Sequence, residues 1–306
     1  MNSDSTKYCS ICPRNCQAER SSGKNGFCNS DLDYNISSIC CHIGEEPPIS
    51  GINGICNVFF NHCNLQCIYC QNIQISSNKS ALSNFNSLDD IIYSITELLD
   101  NGCKAVGFVS PSHYVSHVKE IISTLRSLGY SPYFVYNTNS YDKVETIKSL
   151  EGLIDIYLPD FKYFDNEISL NYSGANDYPE VALKAIKEMF RQKGSEIYFD
   201  ENGLASSGVI IRHLVLPGDT DNSLKVLKVI AENLSNKVHI SLMSQYYPTS
   251  SVAGHPKLER TITSKEYDIV INEMDKLGFE NGWMQELDSN QCCRPNFNNL
   301  NPFEIS

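Results

Sequence analysis

The sequence predicts an α/β chain: a partial (β/α)6 barrel with a small cysteine-rich N-terminal subdomain. Three observations carry this. From about Val58 onward, six short apolar runs alternate with six amphipathic stretches, the order of a parallel α/β fold. A cysteine-dense segment punctuated by glycine and proline precedes them. A cysteine triad, Cys63, Cys67 and Cys70, follows the first apolar run directly. The expected division is residues 1–50 for a metal-binding subdomain, 51–277 for the barrel and 278–306 for an irregular, aromatic extension packing on the barrel.

The apolar runs place strands at 57–61, 105–109, 133–137, 154–158, 209–216 and 238–243. After the first strand, Ser87 caps a helix whose Leu88, Ile91, Ile92, Ile95, Leu98 and Leu99 recur at helical spacing, with Asp90 three residues past the cap. Val115, Val118, Ile121, Ile122, Leu125 and Leu128 give the next helix, which Gly129 stops. Helical patterns follow over 141–150, 178–192 and 222–234, with Pro179 in a first turn, where a missing N–H costs nothing. Thr263 and Glu266 form a capping box for a sixth helix ending at Leu277. In such parallel architectures the chemistry gathers at the C-terminal ends of the strands. The residues just after each strand are therefore the functional candidates.

The net charge of -12 over 306 residues argues against an extended surface for phosphate backbones, so no nucleic-acid partner is expected. Residues 1–7 are polar, and no apolar run reaches the length of a membrane span. The expectation is a cytoplasmic protein with no membrane association. In a reducing compartment, the 13 cysteines point to metal or redox chemistry more than to disulfides.

Cys63-Asn-Leu-Gln-Cys67-Ile-Tyr-Cys70 spaces three thiolates on one tight loop. Iron–sulfur clusters normally take four cysteines, so three leave one iron open for an exogenous ligand, as three protein ligands do at catalytic zinc. The competing reading is a zinc knuckle completed by Cys56 or His62. Cys9, Cys12, Cys16 and Cys28 form a second set of soft ligands, suited either to structural zinc or to an auxiliary iron–sulfur cluster, with Cys40 and Cys41 as substitutes. Cys56 and Cys103 read as solitary core residues. The adjacent pair Cys292-Cys293 reads as core or surface.

CxxxCxxC after the first strand of a six-unit barrel resembles the radical S-adenosylmethionine (SAM) superfamily. The resemblance extends through His42-Ile-Gly-Glu-Glu-Pro-Pro-Ile-Ser-Gly51, Cys70-Gln-Asn72, Ser110-Pro-Ser-His-Tyr114, Tyr136-Asn-Thr-Asn139, Asp155-Ile-Tyr-Leu-Pro-Asp-Phe-Lys162, Ile211-Arg-His-Leu-Val-Leu-Pro-Gly218 and Ser244-Gln-Tyr246. Together these are similar to the radical SAM family related to the activating enzyme of pyruvate formate-lyase. The resemblance implies a [4Fe-4S] cluster on Cys63, Cys67 and Cys70 whose open iron chelates SAM. Reductive cleavage would then give a 5′-deoxyadenosyl radical that abstracts hydrogen. It places Tyr69 near the adenine. Asn137, Thr138 and Asp160 fall beside the SAM carboxylate, with Asp160-Phe-Lys162 matching an Asp-x-Lys motif. Asp160 would pair with Lys162 or a monovalent ion, or the two form a structural ion pair at a strand end.

Activating enzymes of glycyl radical enzymes usually carry Gly-Gly-Glu after the second strand, and here Ser110-Pro111-Ser112-His113 stands in its place. Carbonyls around Ser112 would still hold the SAM amino group. His113 either moves protons near SAM or is a helix-start histidine bonded to backbone. Arg212, inside an apolar strand, must meet a carboxylate or similar acceptor, on SAM or on substrate. Gln245 and Tyr246 are candidates for the ribose or adenine. Glu45 and Glu46 read as a substrate rim or as an exposed acidic turn.

Three functions follow. The first is an activase delivering a radical to a glycyl radical enzyme. The second is a radical SAM enzyme modifying a small molecule or peptide, and the third a non-catalytic iron–sulfur or zinc protein. For the first two the expected electron donor is a flavodoxin- or ferredoxin-type reductant.

Overall fold

The computed structural model describes residues 8–23, 26–80, 83–85, 87–291, 294–299 and 301–303. The sheet begins with β1 (Ile36–His42), a short helix α1 (Pro47–Ser50) and β2 (Ile55–Phe60). After a single turn α2 (Ile73–Ser76), helix and strand alternate through α3 (Leu88–Asp100), β3 (Ala105–Val109), α4 (Val115–Ser127), β4 (Tyr133–Thr138), α5 (Val144–Lys148) and β5 (Ile156–Pro159). Helices α6 (Asn166–Ser173) and α7 (Tyr178–Lys193) lead to the two-residue β6 (Tyr198–Phe199). Then come β7 (Ala205–Leu214), α8 (Thr220–Asn233), β8 (His239–Met243), α9 (Ser264–Leu277) and β9 (Gly282–Met284).

These strands form one open sheet in the order β1-β2-β3-β4-β5-β7-β8-β9, with β6 paired to β7. From β2 to β9 neighbouring strands of that path run parallel, and β1 joins β2 antiparallel. The six strands expected from the sequence are β2, β3, β4, β5, β7 and β8, so the partial barrel is present. Every residue of β2 and β3 is buried, as strands covered on both faces must be. The apolar stripes of α3 (Ile91, Ile92, Ile95) and α4 (Val118, Ile121, Ile122, Leu125) pack into the core cluster that holds Val58, Val106 and Phe108. Ser87 accepts the Asp90 N–H at the start of α3, and the Thr263–Glu266 capping box closes the start of α9.

Three features depart from the expected pattern. The tail is not wholly irregular, because β9 extends the sheet beside β8. Gly282 permits this, since a Cβ there would stand 1.9 Å from the Ile240 carbonyl oxygen. Helix α6 intervenes between β5 and α7. The helix expected over 141–150 shrinks to Val144–Lys148, because Asp142 instead accepts hydrogen bonds from Tyr136 and Thr138 on β4. Cys292 and Cys293 lie outside the described residues. No helix among the described residues is long and apolar enough to cross a membrane.

Candidate active site

A cavity of about 550 Å³ lies at the C-terminal ends of the parallel strands. Its wall takes residues from the loop after β2, from Ser110 after β3, from Asn137 and Asn139 at the end of β4, from Asp160 after β5, and from the ends of β7, β8 and β9. The backbone turns sharply here. His62, Ser110 and Ser140, just past β2, β3 and β4, hold left-handed φ values of 64°, 54° and 63°. Such conformations cost free energy in non-glycine residues and cluster at functional sites.

All three triad cysteines line the cavity. Gln66, also left-handed at φ 61°, turns the loop between Cys63 and Cys67, and its side chain donates to the Cys63 carbonyl at 3.1 Å. Asn64 donates to the Tyr141 carbonyl at 2.7 Å, and the Ile68 N–H donates to the Tyr172 carbonyl at 2.9 Å. The loop is thus held by the turn that follows β4 and by the last turn of α6. Each sulfur also receives a donor. The Leu65 N–H and Asn139 Nδ2 reach Cys63 Sγ, both at 3.3 Å. Ser173 reaches Cys67 Sγ and Ser76 reaches Cys70 Sγ, both at 3.1 Å. Burial raises the Cys63 thiol, and it pushes Cys70 up to about 12, with Cys67 and Cys63 adding to the effect.

Cys56 does not complete a knuckle with this triad. It is wholly buried within reach of Cys103, Cys40 and Cys41, so neither Cys56 nor Cys103 is solitary. His62 Nε2 is bonded to the Ser80 carbonyl at 3.1 Å. Among the described residues, no three His, Cys, Asp or Glu side chains converge to hold a single metal ion.

Facing the triad, Lys162 pairs with Asp160 at 2.6 Å. Burial alone would lower the Lys162 ammonium, yet Asp160, Tyr69 and Cys67 hold it well above the usual lysine range. A backbone bridge sets Asp160 beside Arg212. The Arg212 guanidinium does meet carboxylates, but they belong to Glu45 and Glu46. These glutamates are therefore no exposed turn: Glu46 is buried, and Glu45 also accepts from Asn57 at 2.8 Å. Tyr69 lines the cavity, its hydroxyl accepting from Tyr163 at 2.7 Å.

Of the other candidates, Asn137 and Gln245 line the cavity, whereas Ser112, His113, Thr138 and Tyr246 are buried and not in its lining. Ser112 and Thr138 are joined hydroxyl to hydroxyl at 3.2 Å. His113 Nε2 donates to the Asn61 carbonyl at 2.9 Å, and burial pushes its imidazole down to about 3. Tyr246 donates to the Leu258 carbonyl at 2.6 Å. The N-terminal cysteines Cys9, Cys12, Cys16 and Cys28 also stand outside the lining. The sulfur donors Asn139, Ser173 and Ser76 were not among the candidates. Asn139 closes the Tyr136–Asn139 motif and so left a signal. Ser173 sits on α6, which has a weak apolar stripe and left none.

The family model of the radical SAM superfamily matches residues 57–230, more than half of the chain. The chain belongs to the radical SAM superfamily. It is 29% identical over 283 residues to an uncharacterized protein of Methanocaldococcus jannaschii, covering 90% of this chain and 76% of the relative. Streptococcus suis SuiB bound to S-adenosylmethionine is similar over 74% of this chain and 48% of its own, with 13% identity and a TM-score of 0.48. SuiB bound to its precursor peptide SuiA gives 15% identity, 75% and 48% coverage and a TM-score of 0.49. The chain therefore spans about half the length of SuiB. A domain of a pyruvate-formate lyase-activating enzyme from Bacteroides vulgatus gives 16% identity, 56% and 93% coverage and a TM-score of 0.40.

Radical SAM enzymes use a [4Fe-4S] cluster and SAM, and the donor set here fits the cluster. Three soft sulfurs open on one cavity, no fourth cysteine among the described residues lines it, and every sulfur carries a hydrogen-bond donor suited to a thiolate.

Proposed function

We propose that this chain is a radical SAM enzyme in which Cys63, Cys67 and Cys70 hold the cluster and the cavity beside them takes SAM and a substrate. When bound, the cluster and SAM supply reductive cleavage to methionine and a 5′-deoxyadenosyl radical for hydrogen abstraction. The single observation that carries this reading is the triad opening on a cavity that also presents Asp160 and Lys162.

The chain's own residues do the rest. Leu65 N–H, Asn139, Ser173 and Ser76 orient and polarise the three sulfurs. Lys162, kept charged by Asp160, offers a cation to a carboxylate in the cavity, as the SAM carboxylate requires. Asn137 and the carbonyls around Ser110 supply polar groups at the ends of β4 and β3. Tyr69, packed edge-on against Tyr163, Tyr172 and Tyr246, presents an apolar face to an adenine and excludes water behind the triad.

For the radical's target, the motif resemblance supports an activase acting on a glycyl radical enzyme. The cavity supports a second reading, a small molecule or peptide as substrate. Trp283, Gln285 and Phe303 of the tail line it, and Phe303 packs on His42 with ring centroids 3.9 Å apart. That wall narrows the approach for a large partner. A flavodoxin or ferredoxin supplies the electron in either reading.

The test is anaerobic reconstitution with SAM and dithionite, followed by quantitation of 5′-deoxyadenosine and methionine. Cleavage that disappears in Cys67→Ala supports the proposal. A fully loaded, reduced protein that leaves SAM intact overturns it.

A further inference from the structure

Outside the cavity the chain gathers a second set of sulfurs. Cys9, Cys12 and Cys16 lie on one loop, closed by hydrogen bonds from Cys9 N–H to the Ala18 carbonyl at 2.8 Å and from Gln17 N–H to the Cys9 carbonyl at 3.1 Å. The Cys12 thiol lies within electrostatic reach of Cys28, Cys9 and Cys16. Gly26 is required for this packing, since a Cβ there would stand 2.3 Å from Cys16 Sγ. As in the triad, no three of these side chains converge on a single ion, whereas a cluster takes its thiolates on separate irons and needs no such convergence.

Arg20 supplies an independent observation. It is only 7% exposed, with Nη2 donating to Cys28 Sγ at 3.3 Å and Nη1 to the His113 carbonyl at 2.9 Å. Its Nε is buried with no partner, and among the described residues it makes no ion pair with a carboxylate. A guanidinium does not give up its proton, and a buried unpaired charge is costly. Among the described residues the groups left to supply the anion are the sulfurs beside it, and neutral thiols supply none. Four metal-bound thiolates carry net negative charge.

We propose that Cys9, Cys12, Cys16 and Cys28 hold a second iron–sulfur cluster, with Arg20 as its buried counter-charge. Arg14, between Cys12 and Cys16, ties this site to the first. Its guanidinium donates to the Asn64 carbonyl at 2.8 Å, Leu65 at 3.2 Å, Ser173 at 2.9 Å and Gly174 at 2.6 Å. The second site thereby braces the loop that carries Cys63 and Cys67 and the residue that donates to Cys67.

The experiment uses the full chain purified anaerobically with Cys63, Cys67 and Cys70 all replaced by Ala, so it does not depend on SAM cleavage. Iron with an equal amount of acid-labile sulfide remaining in this variant is the expected result. Zinc without sulfide, or no metal in a variant whose circular dichroism matches the parent, overturns the proposal. If the triad variant does not fold, Cys12→Ser with Cys28→Ser in the otherwise native chain is the second arm. Iron should fall by about half while the triad's share stays, and undiminished iron overturns the proposal. Arg20→Gln should speed iron release to a chelator from this site by about tenfold, and unchanged release removes Arg20 from the assignment.

Discussion

Arg212 Nε donates to Glu46 at 2.9 Å, joining residues 166 positions apart. The same guanidinium meets Glu45, so one cation on β7 holds both carboxylates of the segment before β2. Replacing Arg212 with Met leaves two largely buried carboxylates without a cation. Stability should fall by about 3–5 kcal/mol, the cost of breaking rather than substituting a buried pair. Adding Glu45→Gln and Glu46→Gln to that variant should recover much of the loss. Urea denaturation measures both. A loss under about 1 kcal/mol would mean that the cluster behaves as a solvated surface pair.

Ser173 donates to Cys67 Sγ while its own oxygen is shared with Tyr163 at 2.8 Å. A donor on a cluster sulfur stabilises the more negative, reduced state. Ser173→Ala should therefore shift the cluster's reduction potential to a more negative value with the iron content unchanged. A redox titration followed by electron paramagnetic resonance reads this directly. An unmoved potential would show that the serine is not aimed at the sulfur once the cluster is bound.

The six-strand frame was legible because β2, β3, β4, β5, β7 and β8 are apolar runs, and strands covered on both faces must be. Strand β9 was not legible. Gly282, Trp283 and Met284 form a three-residue edge whose pairing rests on one glycine's close approach to Ile240. In the site, the triad's spacing announced itself, and so did the Asp160–Lys162 pair. The partner of Arg212 did not, because nothing local says that a guanidinium on β7 will reach back to Glu45 and Glu46. His113 was ambiguous for a related reason: whether a loop histidine faces a cavity or a carbonyl depends on the turn at Ser110, where a serine takes a left-handed φ of 54°. Long-range closure and local strain are the two things that periodicity does not encode.

Asp160 holds Lys162 in its charged form beside Cys67 and Tyr69. If that cation receives a carboxylate of SAM, Asp160→Asn frees Lys162 and should weaken SAM binding by about tenfold, about 1.4 kcal/mol. Lys162→Met should cost at least as much. Equilibrium dialysis with SAM on anaerobically loaded protein is the measurement. Unchanged affinity in Lys162→Met would leave the pair a strand-end ion bridge alone.

Two buried histidines contribute to how the fold answers acid. Burial pushes His113 down to about 3 and His213 to about 4. His213 is fixed on both sides, by the Phe161 carbonyl at 2.7 Å and Ser223 Oγ at 2.8 Å. An unfolded histidine titrates near 6.5, so below that pH the unfolded chain binds protons that the native chain refuses. The contribution of these two rings to stability should be flat above about pH 7 and fall as pH drops from about 6.5. The slope approaches about 1.4 kcal/mol per pH unit for each ring. The His213 share ends near its folded value of about 4, and the His113 share continues to about 3. His213→Asn removes one titrating ring and should make the slope between pH 6.5 and 4.5 shallower, whatever it costs at neutral pH. Urea midpoints across that range decide the matter, since a slope identical to the parent's would mean that the His213 ring takes up its proton in the folded chain as readily as in the unfolded one.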